Sequence, residues 1–217
     1  EKHVMKFYKI ILCSKATRIA LSALLLSLVL VSPLPAQTSS IDARTAGMEK
    51  MPGFFTLFWD AKEGKLWMAV DTLDREFLFT TSIAAGLGTY DVRLDRNQPG
   101  RARVVKFDRV GPKLFLVQRN LGFRADTPDP DVRLNVEESF ARSVLWGFDI
   151  AAEDAGRFLI DATRFFLRDA GGAVNALNRG GGSFAVDPAR SAFYLPRTKS
   201  FPFNTEIEVT LTFAGSN

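Results

Sequence analysis

A strict alternation near the C-terminal end of the chain limits what it can fold into. Between residues 206 and 213, in the sequence EIEVTLTF, apolar side chains alternate with Glu and Thr. Successive strand residues point to opposite faces, so this segment predicts an antiparallel strand that is packed on one face and solvated on the other. Only four residues follow it. We therefore expect a truncation at a turn before a partner strand, and an unpaired edge over 205–213 that promotes association.

Most other predicted strands come in pairs around short turns. Residues 54–59 and 65–71 flank the loop DAKEG, and residues 103–109 and 113–119 flank VGP. Such segments, rich in aromatic and branched residues and separated by turn residues, are typical of β-hairpins. Further strands are predicted at 76–82, 146–151 and 157–162. The fold class predicted is a β-rich α+β fold, a mainly antiparallel sheet of hairpins with one or two short helices.

Two helices are predicted. The first spans 132–143, with Asn135 as N-cap and Glu138 three residues later in the reciprocal capping pattern. Its buried stripe would consist of Val136, Phe140 and Val144. The second starts at residue 163 after an Asp161 cap and stops near Gly171.

The N-terminal segment has the layout of a signal peptide. Lys6, Lys9, Lys15 and Arg18 precede an apolar run at 19–31, and SPLPA follows at 32–36. The run is shorter than the roughly 20 residues of a membrane-spanning helix. We predict a signal peptide at 1–36, a flexible lead-in at 37–52 and a β-rich accessory domain at 53–217, exported to the periplasm or the extracellular space. Because Leu34 occupies a position where smaller residues are usual, an uncleaved membrane anchor is the alternative.

Charge and cysteine content narrow the function classes. Residues 1–36 hold five of the 28 Lys and Arg and one of the 24 Asp and Glu, so the remainder carries 23 of each. A net charge of zero gives no support for nucleic-acid binding, which needs a concentrated basic excess. Cys13 lies within the predicted signal peptide, so the rest of the chain has no thiol for a disulfide.

Carboxylate pairs are the sharpest candidates for catalysis within the chain. Asp129 and Asp131 flank Pro130, a setting that favours turn formation. Glu137 and Glu138 are adjacent on the predicted helix, so their side chains diverge by about 100° and do not converge on one substrate. We therefore predict no catalytic role for either pair.

Other motifs favour plain structural interpretations. The segment 95–100 lacks the later acidic residues of a calcium loop and is interpreted as a turn. The glycine-rich segment 179–183 lacks the Lys-Ser or Lys-Thr of a phosphate loop and is interpreted as a flexible loop. Ser82, Ser139 and Ser191 have no histidine base, because the only histidine, His3, precedes Met5. A binding platform of Trp59, Trp67, Trp146 and Tyr194 is the alternative to their burial in the core.

Four blocks of sequence resemble a known family. They are EFLFTTSIAAGLGTYDVRLDR at 76–96, VVKFDRVGPKLFLVQRNLGFRA at 104–125, VEESFARSVLWGF at 136–148 and SAFYLPRTKSFPFNTEIEVTLTF at 191–213. In this order they resemble an N-terminal domain of unknown function that precedes the catalytic domain of bacterial secreted zinc-dependent metalloproteases. Catalysis in that family needs an HExxH helix, in which two imidazoles hold zinc and the Glu activates water. This chain contains no HExxH.

The resemblance implies a non-catalytic accessory or pro-domain of an exported zinc metallopeptidase, with the zinc in a catalytic domain absent from this chain. It carries over no catalytic, cofactor-binding or metal-binding residue. The implied partner is the chain's own downstream catalytic domain, together with peptide or protein substrates. We expect no peptidase activity from this chain alone. A free-standing exported β-rich binding module is the alternative.

Overall fold

Eight strands form one antiparallel sheet within residues 40–86 and 92–216, the parts of the chain that the computed structural model describes. Their order is β1-β2-β3-β8-β7-β6-β5-β4, and every pairing is antiparallel. The predicted fold class is confirmed. The predicted signal peptide lies outside the described residues.

The sheet strands are β1 (Glu49–Met51), β2 (Thr56–Asp60), β3 (Lys65–Val70), β4 (Phe77–Phe79), β5 (Arg103–Val110), β6 (Lys113–Gln118), β7 (Ser143–Asp154) and β8 (Arg157–Asp161). Outside the sheet lie β9 (Ala185–Phe193), β10 (Lys199–Ser200), β11 (Thr205–Glu206) and β12 (Val209–Ala214). The α-helices are α1 (Ile41–Arg44), α2 (Pro130–Ser139), α3 (Thr163–Phe166) and α4 (Ala173–Leu177). Short 3-10 helices occupy Asn178–Gly180 and Leu195–Arg197. No helix in these ranges is both long and apolar enough to cross a membrane.

The predicted hairpins are confirmed at their turns. Gly64 and Gly111 have φ of +65° and +57° in the β2–β3 and β5–β6 turns. Ala155 and Gly156 connect β7 to β8 with φ of +49° and +78°. Positive φ at both central residues matches the right-handed twist of the strands they join.

One face of the sheet buries the main aromatic core, and the sheet curls around it. Phe77 lies on β4, and Phe55 lies just before β2. Strands β2 and β4 are near opposite ends of the strand order. Their ring centroids are nevertheless only 5.1 Å apart, and Phe107 of β5 lies 5.9 Å from Phe55. We call this the inner face.

The outer face buries a second cluster: Ile41, Phe58, Trp67, Ala69, Ala152 and Leu159. Ile41, on α1, is 1% exposed, and the Ser40 side chain accepts a hydrogen bond from the Ala43 N–H to cap this helix. Helix α1 and strand β1 therefore lie within the segment 37–52, which the sequence predicted to be a flexible lead-in. A four-residue helix shows no apolar period, so one buried isoleucine was not recognisable.

Helix α2 corrects the predicted helix at 132–143. It begins at Pro130 and ends at Ser139, and its N-cap is Asp129, whose carboxylate accepts a hydrogen bond from the Asp131 N–H at 2.9 Å. Proline suits the first helical turn because it needs no N–H there and its φ is already helical. The predicted cap Asn135 lies within the helix. The predicted buried stripe is wrong, because no α2 residue is buried, and Phe140 and Val144 are 36% and 54% exposed.

The C-terminal strand pairs within a two-stranded ribbon. β12 is antiparallel to β9, from Val209 opposite Phe193 to Ala214 opposite Ala185. Its partner thus precedes it in the chain, whereas the sequence predicted a partner after it. The edge of β12 that faces away from β9 pairs with no other strand among the described residues. Association through this edge stays a prediction.

Candidate functional site

The paired carboxylates occupy separate places on or before α2. Asp129 caps the helix, while Glu137 and Glu138 are exposed on its surface. Across residues 40–86 and 92–216, no group of three or more His, Cys, Asp or Glu side chains is placed to hold a metal ion.

In the two loops considered as ligand sites, backbone groups form hydrogen bonds to other groups of the protein. In the 95–100 segment, Asn97 has φ of +63° and its N–H donates to the Ile83 carbonyl at 2.7 Å, so the predicted turn is confirmed. After the glycine-rich segment, the Phe184 N–H donates to the side-chain oxygen of Asn178 at 2.7 Å. The Ser183 N–H donates to the Ser216 carbonyl at 2.8 Å.

The candidate aromatic platform is not assembled. Trp67 is buried on the outer face, whereas Trp146 packs at the inner face, with its ring 5.7 Å from that of Phe165. Trp59 packs edge-on against Phe193 at 5.6 Å. Packing therefore accounts for these three tryptophans, as the core interpretation predicted.

The inner face ends in a half-buried arginine that the sequence did not single out. Arg168 follows α3, and its Nε donates a hydrogen bond to the Phe165 carbonyl at 2.8 Å. The guanidinium carbon lies 4.8 Å from the Phe165 ring centroid and 5.4 Å from that of Trp146. Burial lowers the pKa of Arg168, and the positive charge of Arg103 lowers it further.

Arg103 reaches the same place from β5. Strand alternation puts its side chain on the inner face with Val105 and Phe107, both in the core. Its cross-strand partner Phe79 has its ring 5.5 Å from that of Phe165. Among the described residues, neither Arg103 nor Arg168 forms an ion pair with a carboxylate.

The nearest acidic group on the same loop, Asp169, is occupied elsewhere. Its two carboxylate oxygens accept hydrogen bonds from the backbone N–H groups of Ala173 and Val174, each at 2.8 Å. These bonds fix the start of α4. Asp169 still favours the charged form of Arg168, but as a weaker influence than burial or Arg103.

A cavity of about 120 Å³ is lined by residues of the segments that carry Arg103 and Arg168, but neither of these two arginines lines it. Gly100 and Gly171 are among its lining residues and lie three residues from Arg103 and Arg168, hence within roughly 10 Å of them. The polar side chains of the lining are Thr81, Ser82, Arg93, Gln98 and Arg179. The segments 92–103 and 163–180 that meet here contain seven arginines against two aspartates. This local excess is the signal by which sequence reasoning could have found the site.

A second distinctive surface is the segment 119–142 between β6 and β7, which we call the helical arm. Phe123 and Phe140 stack there with centroids 4.0 Å apart and an interplanar angle of 4°, and Phe123 is 56% exposed. Other exposed apolar residues of the arm are Leu121, Val132 and Leu134. Five large apolar side chains of this one segment are therefore exposed.

The match to known families covers the second half of this structure. A family model described as a domain of unknown function, DUF5117, matches residues 97–217, more than half of the chain. The chain belongs to the DUF5117 family. No curated protein and no solved structure matches it.

In this DUF5117 chain the sheet extends beyond the matched residues. The match begins at Asn97 and includes β5 to β8, but β4 pairs with β5 and β3 pairs with β8. Strands β1 to β4 therefore complete the sheet that the matched residues begin. Arg103, Arg168 and the helical arm all lie within the match.

Proposed function

We propose that this DUF5117 chain is the non-catalytic accessory or pro-domain part of an exported bacterial zinc-dependent metallopeptidase. The observation that carries the proposal is the resemblance of four blocks in one order. Those blocks contain β4, β6, β10 and β11, nearly all of β5 and β12, and half of β7. The family match over residues 97–217 supports one part of the proposal, that this chain contains a domain of unknown function.

The catalytic zinc in this proposal belongs to a separate domain that carries an HExxH helix, and the chain's own catalytic domain is its partner. The helical arm supports such a partnership, because no residue of α2 is buried against the rest of this chain. An accessory domain needs an exposed apolar surface of this kind for contact with a second domain. Latency would have to be steric, since the chain after residue 36 has no cysteine to bind the zinc.

A free-standing exported binding module is the second candidate. The observation that favours it is the cavity lined in part by Arg93 and Arg179, because a cavity with polar lining can bind a ligand without any catalytic domain.

The two candidates are separated by adding the purified chain to a zinc peptidase domain of the resembling family and following casein hydrolysis. The accessory role predicts no hydrolysis by the chain alone and a changed rate or refolding yield of the peptidase when it is added. Phe123→Ser with Phe140→Ser should abolish that change, whereas Leu78→Ser, at a residue 73% exposed outside the arm, should preserve it. Zinc-dependent cleavage by the chain alone, or no effect on the peptidase, would contradict the accessory role.

A further inference from the structure

We propose that the tip of the β10–β11 hairpin is an anchor that inserts Phe203 into an apolar pocket of a partner protein, the zinc peptidase domain of the proposed function. The tip consists of Phe201, Pro202 and Phe203, and it is separate from the helical arm. Phe203 is 92% exposed and Phe201 is 41% exposed. The identity of the partner rests on the proposed function, whereas the anchor itself rests on the geometry of the hairpin.

The backbone of the tip is bonded on both sides of the hairpin. The Phe201 N–H donates a hydrogen bond to the Asn204 carbonyl at 2.8 Å, which closes the loop. The Phe201 carbonyl accepts a hydrogen bond at 2.7 Å from the N–H of Phe54, a residue packed against the inner-face core. The ring of Pro202 fixes its own φ. The residues that precede Phe203 are therefore held in one conformation.

A closed ring of hydrogen bonds fixes the base of the hairpin to Phe55, a buried residue of the inner-face core. The Phe55 N–H donates to Thr205 Oγ1 at 3.1 Å, and Ser200 Oγ donates to the Phe55 carbonyl at 2.6 Å. The two hydroxyl oxygens lie 2.8 Å apart. A hydroxyl has a single proton, so Thr205 donates to Ser200 Oγ and completes the ring.

Gly53 allows this close approach of the hairpin to the main chain. A Cβ at this position would lie 2.7 Å from both the Phe201 nitrogen and the Ser200 carbonyl carbon, too short for a real contact. A single exposed apolar side chain is ordinary on a protein surface. Phe203 differs because its backbone is held in place, so less conformational entropy is lost when it binds. Rigidly presented aromatic side chains are typical anchors of protein interfaces.

The surroundings of the tip favour a protein pocket over a membrane or a second copy of this chain. Lys199 and Glu206 stand opposite each other in the hairpin register, so their charges offset one another. Attachment to a membrane surface uses basic residues beside the apolar ones. A second copy would offer the cavity that two arginines line in part, or a depression formed by four residues of α2. Neither of these two places encloses an aromatic ring in apolar surface.

The test titrates the purified chain into a zinc peptidase domain of the resembling family and measures the dissociation constant. Phe203→Ala should raise the dissociation constant at least about 30-fold, the loss expected for an aromatic hot spot. Phe203→Leu keeps an apolar side chain and should raise it less. Neither substitution should lower the melting temperature, because the side chain packs on almost nothing in the free chain.

Leu78→Ala is the matched control, because Leu78 is also highly exposed but lies on β4, and it should leave the dissociation constant unchanged. Wild-type binding that Phe203→Ala weakens by no more than about twofold would overturn the anchor and leave the accessory role standing. A wild type that does not bind the peptidase would contradict both. Sedimentation of the wild type, but not of Phe203→Ala, with phosphatidylglycerol–phosphatidylcholine vesicles would overturn the proposal by assigning the tip to a membrane.

Discussion

The curled sheet predicts energetic coupling between residues whose strands are far apart in the strand order. The Phe55 and Phe77 rings meet edge to face, with centroids 5.1 Å apart and an interplanar angle of 73°. This geometry lies within the preferred range for aromatic pairs, which contribute about 0.5–1.5 kcal/mol beyond their buried area. In a double-mutant cycle with Phe55→Leu and Phe77→Leu, we expect a coupling free energy of about 1 kcal/mol. Leucine keeps the site apolar and avoids the roughly 3–5 kcal/mol cost of Phe→Ala.

The assay is urea unfolding of the wild type, both single variants and the double variant, with the free energy extrapolated to water. The control cycle combines Phe77→Leu with Trp67→Phe, because Trp67 lies in the outer-face cluster and shares no contact with Phe77. The control should be additive within about 0.3–0.5 kcal/mol. A Phe55–Phe77 coupling no larger than the control would refute the curled arrangement of the sheet.

Three further results are expected. Ile41→Ala should accelerate trypsin cleavage after Arg44 at least about tenfold. The substitution removes some 2–5 kcal/mol of packing free energy and so releases the N-terminal segment from the outer face. An unchanged cleavage rate would argue against the packing of α1 on that face. Asp129→Ala should speed amide exchange within α2 about fivefold, as expected for a lost N-cap, yet leave the global free energy of unfolding unchanged because α2 buries nothing. A hydrogen bond from Arg190 holds the pKa of Asp187 below its ordinary value of 3.8, so this carboxylate stabilises the β9–β12 ribbon above that pH and the stabilisation is lost as pH falls through the folded-state pKa. The melting difference between wild type and Asp187→Asn should therefore shrink in acid, and a difference independent of pH would contradict the assignment.

The hairpins were predicted correctly because the residues in and beside their turns identify them. Gly64, Gly111 and Gly156 adopt positive φ at short connections, and the flanking residues favour strands. Each turn determines which strands are neighbours, so the antiparallel character of the sheet follows without long-range information.

Helices and the ribbon were harder to predict because their determinants are not periodic. The boundaries of α2 follow from Asp129 and Pro130, whereas apolar spacing suggested a later and longer helix. Helix α4, which was not predicted, depends on the Asp169 carboxylate capping a five-residue element. The β9–β12 pairing joins strands around an intervening β10–β11 pair, and neither the pattern of β9 nor that of β12 identifies its partner.

The arginine site could not be predicted from spacing at all. The elements that carry Arg103 and Arg168 are linked by the pairing of β4 with β5 and by the packing of Phe79 on Phe165. No short motif encodes that arrangement. The local excess of arginine in two separate segments is a sequence signal, but it does not identify which arginines meet.

We propose that this chain is the front part of a zinc metallopeptidase, and the reading frame of its gene beyond codon 217 tests this proposal most directly. We expect the frame to continue into a further domain with an HExxH helix. A stop codon directly after Asn217 would contradict the claim and would leave the free-standing binding module as the function to test.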